Sequence, residues 1–384
     1  MMRGRGSKLM KRLDRYIGIP VLYLLGKCHH KQDFPHDIGD NPRIAVIKTS
    51  AIGDTVLVSA MVRELHEAYR KSHITVICAS NNVAMVKLLP YVDEILVFDM
   101  KSPVRALLAV HRLPEFDFVF DFGPWPRING VITWALRAKF KVGFKRRNMY
   151  RHYCYDATAE HLDSLHEIEN YRQVLKAGHI APQGLLPSFH TDDPPVLAGR
   201  YAVFHLYPGG AMQLQREWPL DNWLALARIL HEQYGLTICV SGGREDAAHA
   251  AKLVQQMQDK GISANVLTGQ YNLRQMINIL QYAQILVSVN TGIMHLGAAT
   301  GTPMVALHGA TSIQRWGPLK SRAISINSGE PCQPCISLGF ESDCQDPVCM
   351  RHITVEQVMQ AIDSLLSEQD GRYTNEDGNG WIAK

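Results

Sequence analysis

Lys48-Thr49-Ser50-Ala51-Ile52-Gly53-Asp54 follows an apolar run, Ile44-Ala45-Val46-Ile47, and precedes a segment with apolar residues at Val56, Ala60, Met61 and Leu65. That order predicts a buried strand turning sharply into a helix over 55–70. Open α/β sheets place their ligands at such a junction. Gly53 permits a tight turn and close approach of a ligand to backbone. Asp54 then puts a carboxylate at a helix start, where the dipole keeps it ionised. Two readings of Asp54 stand at this point, a helix cap or a proton acceptor facing a cleft.

Outward from this junction, strand-like and helix-like segments alternate: Ile74–Cys78, a helix near 82–89, Ile95–Phe98 and Phe116–Asp121. Strands separated by helical patterns read as βαβ units on a parallel sheet. The pattern lapses at Asp192-Asp193-Pro194-Pro195 and restarts at Tyr201–Leu206, Leu236–Val240, Ile285–Val289 and Met304–Leu307, with helices near 221–234, 245–260 and 272–282. We therefore expect an α/β protein with two Rossmann-like halves facing a cleft. The divisions are a basic amphipathic leader (1–41), a first half (42–185), a linker (186–200), a second half (201–366) and a flexible tail (367–384).

The 384 residues carry a net charge of +4, unevenly spread. Residues 1–31 hold eight basic residues and one acid, net +7, leaving −3 on the rest. A nucleic-acid binder would carry its charge on the folded halves, so no nucleic acid is expected as partner. Ile17–Leu25 is apolar, too short to span a bilayer, and interrupted by Gly18 and Pro20. The favoured reading is a retained leader on the anionic inner face of the cytoplasmic membrane, which makes the protein cytoplasmic and peripherally attached. The other reading is a basic helix that packs on the body of the protein.

Four strand ends of the second half carry polar and glycine-rich loops. These are Pro208-Gly209-Gly210 with Arg216-Glu217-Trp218-Pro219, then Ser241-Gly242-Gly243-Arg244-Glu245, Asn290-Thr291-Gly292-Ile293-Met294-His295, and His308-Gly309-Ala310-Thr311. Each alone has a structural explanation, a turn, a cap or a core histidine. Together at successive strand ends they suit a nucleotide diphosphate, with free amides at a helix start for phosphate and a carboxylate for ribose hydroxyls. No G-x-G-x-x-G follows either first strand, which disfavours a nicotinamide enzyme.

Thr49–Asp54, Arg216–Pro219, Asn290–Gly292 with His295, Gly309–Thr311, Trp316-Gly317-Pro318 and His166–Arg172 together resemble glycosyltransferase family 9, the lipopolysaccharide heptosyltransferase family, over roughly residues 42–366. The resemblance implies a GT-B fold, with the acceptor on the first half and a nucleotide sugar on the second. It implies an inverting glycosyltransferase that moves a sugar, ADP-heptose being the favoured donor, onto a lipopolysaccharide core or related lipid-linked saccharide. Asp54 then falls on the general base and Arg216 beside the leaving diphosphate. The donor side comprises Gly209, Gly210, Arg216, Gly243, Glu245, Asn290, Thr291, Gly292, His295 and Thr311. Asn290 stands where heptosyltransferases commonly have Asp, so a different nucleotide sugar, or saccharide binding without turnover, are the alternatives. The acceptor-side candidates are Ser50 and Gly53 at the turn, with the basic residues Arg127, Lys145, Arg146 and Arg147 suited to a phosphorylated saccharide.

No Asp-x-Asp pair lies at a suitable strand end, and it is chiefly the resemblance that implies no cofactor is required for catalysis. Cys332, Cys335, Cys344 and Cys349 form C-x2-C-x8-C-x4-C. Reduced thiols and a structural zinc both fit that spacing.

Overall fold

The computed structural model describes residues 14–99, 102–209, 212–319, 322–337 and 344–373. A leader helix, α1 (Gly18–Cys28), precedes the first sheet: β1 (Arg43–Ile47), α2 (Ile52–Ala68), β2 (His73–Cys78), β3 (Glu94–Val97), α3 (Pro103–His111), β4 (Phe116–Asp121), α4 (Ile128–Ala135), β5 (Ala138–Lys145) and β6 (Ala157–Glu160). Helix α5 (Glu167–Ala177) closes this half. The second half contains β7 (Tyr201–His205), α6 (Leu220–Tyr234), β8 (Thr237–Ser241), α7 (Ala247–Gln258), β9 (Ala264–Val266), α8 (Leu273–Tyr282), β10 (Ile285–Val289), α9 (Gly292–Thr300), β11 (Met304–Leu307) and β12 (Ala323–Ile326). The last helix, α10 (Val355–Tyr373), continues past Leu366, where a tail was expected; residues 374–384 lie outside the described residues.

Each half is one six-stranded sheet, ordered β3-β2-β1-β4-β5-β6 and β12-β11-β10-β7-β8-β9. All neighbours are parallel. The two orders are the same winding, each with a switch point, between β1 and β4 and between β7 and β10. There the crevices open beyond the strand C-termini. The central strands read as unbroken apolar runs because both faces are covered; Ile44–Ile47 and Ile285–Val289 are wholly buried.

Two expectations shift. Helix α2 starts at Ile52, not near Thr55, because Ala51 takes φ 58° and ψ 137° and turns the chain at once. L residues rarely occupy that conformation, and strain of this kind tends to be held at functional sites. Asp54 therefore lies in the first turn of the helix and is not its cap. The segment between the halves is also pinned at both ends. The buried Glu64 carboxylate accepts from the Gln183 and Leu185 amides at 2.7 and 3.0 Å, while Asn278 bonds Val196 N, Asp193 O and Pro194 O.

The halves meet across α2 and α9. A Cβ on Gly53 would come within 2.9 Å of His295 Cδ2 and 3.0 Å of Gly292 Cα; one on Gly292 would come within 2.9 Å of Gly53 N. Only glycine at both positions allows this approach. A second contact inserts Arg315, 1% exposed, from the second half among Asp163 (2.5 Å), Glu167 (3.1 Å) and His161 (3.3 Å) of the first. Burial raises the cost of the Glu167 charge, but the His161 bond and the charges of His161 and Arg315 outweigh it and hold this carboxyl down to about 2.

Candidate active site

On the first wall, the turn after β1 carries Lys48, Ser50, Gly53 and Asp54. Lys48 is wholly buried, and its ammonium donates to Asp54 Oδ1 at 2.7 Å, Tyr171 Oη at 2.8 Å and Phe122 O at 3.2 Å. Three donors meet three acceptors. Tyr171, on α5, donates to the same Oδ1 at 3.0 Å. Burial and the Asp54 charge push its phenol well above its ordinary value, so it remains a donor. The Asp54 side chain retains 19% exposure. Thr49 is fixed beneath it through Asn129 to Asp121, at 2.7 and 3.1 Å.

Opposite stands the N-terminus of α9, opened by Thr291-Gly292. Thr291 is nearly buried and its hydroxyl has no partner among the described residues. Arg216 reaches across the strand ends, donating to Asn290 O at 3.2 Å and Gly209 O at 2.7 Å. Burial lowers this guanidinium to about 10, which leaves it cationic. Asn290 Nδ2 lies 3.3 Å from His308 Nδ1, and burial pushes His308 down to about 4. His308 is thus a neutral ring, with Nε2 lacking a described partner. His295 is held at about 3 by burial and by His166 and His308 nearby. Thr311 is buried beside His308. Gly243 and Glu245 sit at the rim after β8, both exposed. Gly210 lies outside the described residues.

The structure therefore brings Asp54, Gly53, Gly292, Thr291, His295, Asn290 and Arg216 to the facing strand ends. Trp218, by contrast, is a core residue, its indole donating to Ile353 O at 2.8 Å and stacking edge-on to Trp223. The acceptor-side cations are dispersed. Arg127 is buried and paired with Asp14 at 2.5 Å, with a second bond to Asn148 O, so its charge is consumed by the leader. Arg146 is bound to His161 and Asp163, and Lys145 lies 3.6 Å from Glu160. Arg147 is exposed.

Sequence reasoning passed over Lys48 and Tyr171. Tyr171 lies in the His166–Arg172 segment that carried part of the family resemblance, and Lys48 opens the quoted stretch, so both were in view without a role. The four clustered cysteines form no disulfide, and among the described residues no group of three or more His, Cys, Asp or Glu is placed to hold a metal.

Residues 129–343 match the model of glycosyltransferase family 9 (heptosyltransferase). The chain is 33% identical to lipooligosaccharide heptosyltransferase 2 of Haemophilus ducreyi, over 85% of this chain and 99% of that protein. Its fold matches the E. coli ADP-heptose lipopolysaccharide heptosyltransferase II with TM-score 0.68, at 17% identity, covering 85% and 99% of the two chains. It also matches E. coli heptosyltransferase WaaC with ADP, at TM-score 0.67 and 19% identity, covering 84% and 99%. With two parallel Rossmann-like sheets meeting at glycine-lined helix starts, and a carboxylate and an arginine on the facing walls, the chain is a GT-B glycosyltransferase and belongs to glycosyltransferase family 9.

Proposed function

We propose that the enzyme transfers heptose from ADP-heptose to a hydroxyl of a lipopolysaccharide core intermediate, with inversion and with Asp54 as general base. The observation that carries this reading is the Asp54 carboxylate at the first turn of α2, beside the contact with the α9 N-terminus and across from Arg216. The acceptor oxygen attacks the anomeric carbon and gives its proton to Asp54, while the C1–O bond breaks and its electron pair leaves with the diphosphate. Arg216 and the free amides at Thr291 and Gly292 are suited to take that growing negative charge. ADP as the nucleotide is supported by the two E. coli structures of similar fold, an ADP-heptose heptosyltransferase and a heptosyltransferase with ADP. No step requires a metal; a zinc on the four cysteines would be structural, and elemental analysis of the purified chain reads it directly.

The enzyme is further proposed to work at an anionic membrane surface. No described helix is long and apolar enough to cross a membrane. Helix α1 instead packs inward through Gly18, Leu22 and Gly26, against Arg127, Gly130 and Tyr153, and leaves Tyr16, Ile17, Tyr23 and Leu24 exposed. Arg15 and Lys27, both exposed, supply positive charge that an anionic headgroup layer attracts.

The test is ADP release from ADP-heptose with and without heptose-deficient lipopolysaccharide. Acceptor-dependent release is expected, falling roughly 10²–10⁴-fold in Asp54→Asn with ADP binding retained. Binding of ADP-heptose without release on any acceptor, or an active Asp54→Asn enzyme, would overturn the reading.

A further inference from the structure

We infer that Lys48 and Tyr171 are positioning residues for the transfer: they lock Oδ1 of Asp54 from behind and reserve Oδ2 for the acceptor hydroxyl. This rests on the reading of Asp54 as the base. Both bonds to the carboxylate land on Oδ1, from Lys48 at 2.7 Å and Tyr171 at 3.0 Å, and none reaches Oδ2 among the described residues. The donors themselves cannot wander. Lys48 is saturated by Asp54, Tyr171 and Phe122 O, and its Nζ lies 4.9 Å from the Tyr171 ring centroid. Tyr171 is fully buried between Phe122 and Phe144. Phe122 O belongs to the loop after β4 and Tyr171 to α5, so two further elements fix the Lys48 ammonium that, with the Tyr171 hydroxyl, holds one oxygen of the carboxylate.

The charge matters as well as the geometry. When Asp54 accepts the hydroxyl proton it becomes neutral, and the Lys48 ammonium is left in a dry site without its counter-charge, a costly state. Proton transfer is therefore disfavoured until the attacking oxygen has begun to bond to the anomeric carbon and its proton has become acidic. A purely structural ion pair would stabilise the turn but leave kcat of a folded variant unchanged.

The experiment is kcat and KM of the full chain with ADP-heptose and heptose-deficient lipopolysaccharide, in Lys48→Met, Tyr171→Phe and Asp54→Asn. Removing the ammonium should lower kcat roughly 10–100-fold as the carboxylate loses its orientation, with KM for ADP-heptose changed far less. Tyr171→Phe should lower kcat by less. If Lys48→Met does not fold, as circular dichroism and the melt would reveal, Tyr171→Phe carries the test alone. Unchanged kcat in the folded variants, together with an inactive Asp54→Asn enzyme, would overturn the positioning role while leaving the base intact. An active Asp54→Asn enzyme would instead remove the base on which the inference rests.

Discussion

Gly53 and Gly292 are the narrowest point between the two halves, and their value is the absence of a side chain. In Gly53→Ala the new Cβ meets the Gly292 backbone at 3.0 Å and the buried His295 ring at 2.9 Å, so neither neighbour can give way cheaply. We expect a loss of about 1–3 kcal/mol in denaturant unfolding, the range for overpacking, accompanied by slower turnover. Gly39→Ala, whose Cβ would meet nothing within 4 Å, should melt like the parent. Equal melts for the two variants would contradict the close contact. Gly53 and Asp54 were legible because a strand ending in a Gly-Asp pair before an amphipathic run has few other meanings. Lys48 was not, since a lysine at a strand end ordinarily reaches water, and only the fold reveals that Tyr171, 123 residues onward, waits behind it. Arg127 misled for the converse reason: a cation after a strand end was read as facing ligand, and its partner Asp14 lay 113 residues away in the leader.

The same contrast holds for β5 and α1. Lys145 follows Lys139 and Lys141 along β5, which alternates the three with Phe140, Val142 and Phe144, which face the core. The lysines share the other face, yet Lys139 bonds Asp117, Lys141 is buried and donates to Trp134 O, and burial lowers its ammonium. Two of these three lysines are thus taken up by partners within the first half. Helix α1 was legible as an apolar run with basic flanks, and its split into a packed face and an exposed one required Cys154, Tyr155 and Gly130 to be brought beneath Leu22. From that exposed face we predict that Ile17→Glu with Leu24→Glu weakens flotation with phosphatidylglycerol-containing vesicles at least tenfold while leaving the melt unchanged, because both side chains are more than half exposed. Full vesicle binding by this variant would exclude the outer face of α1 as the membrane contact.

The repeated winding of the two sheets was readable from alternating apolar and helical segments, but their unequal interiors were not. The second half buries three histidines as neutral rings: burial pushes His205 and His308 down to about 4 and His295 to about 3. In the unfolded chain each recovers an ordinary value near 6.5. A group whose folded value is depressed binds its proton preferentially when unfolded, so its stabilising contribution is present above 6.5 and is lost as pH falls toward its folded value. Between about pH 6 and 4 the three together should cost roughly 4 kcal/mol per pH unit, large against the ~5–15 kcal/mol that holds most domains folded. Glu167, held at about 2 at the contact with Arg315, adds its own loss only below about 4.5, the ordinary glutamate range. We therefore expect Tm to be level above pH 7 and to fall steeply from pH 6 to 5, with the second half unfolding first, because His205 and His308 lie at its strand ends and His295 on its helix α9. His205→Asn keeps a polar partner for Ser241, now 2.8 Å from Nδ1, and removes one titrating ring. It should flatten the slope by about a third. Calorimetry across that range, with hydrogen exchange to identify which half opens, measures both, and a Tm unchanged between pH 7.5 and 5 would show that these rings are not the acid-sensitive element.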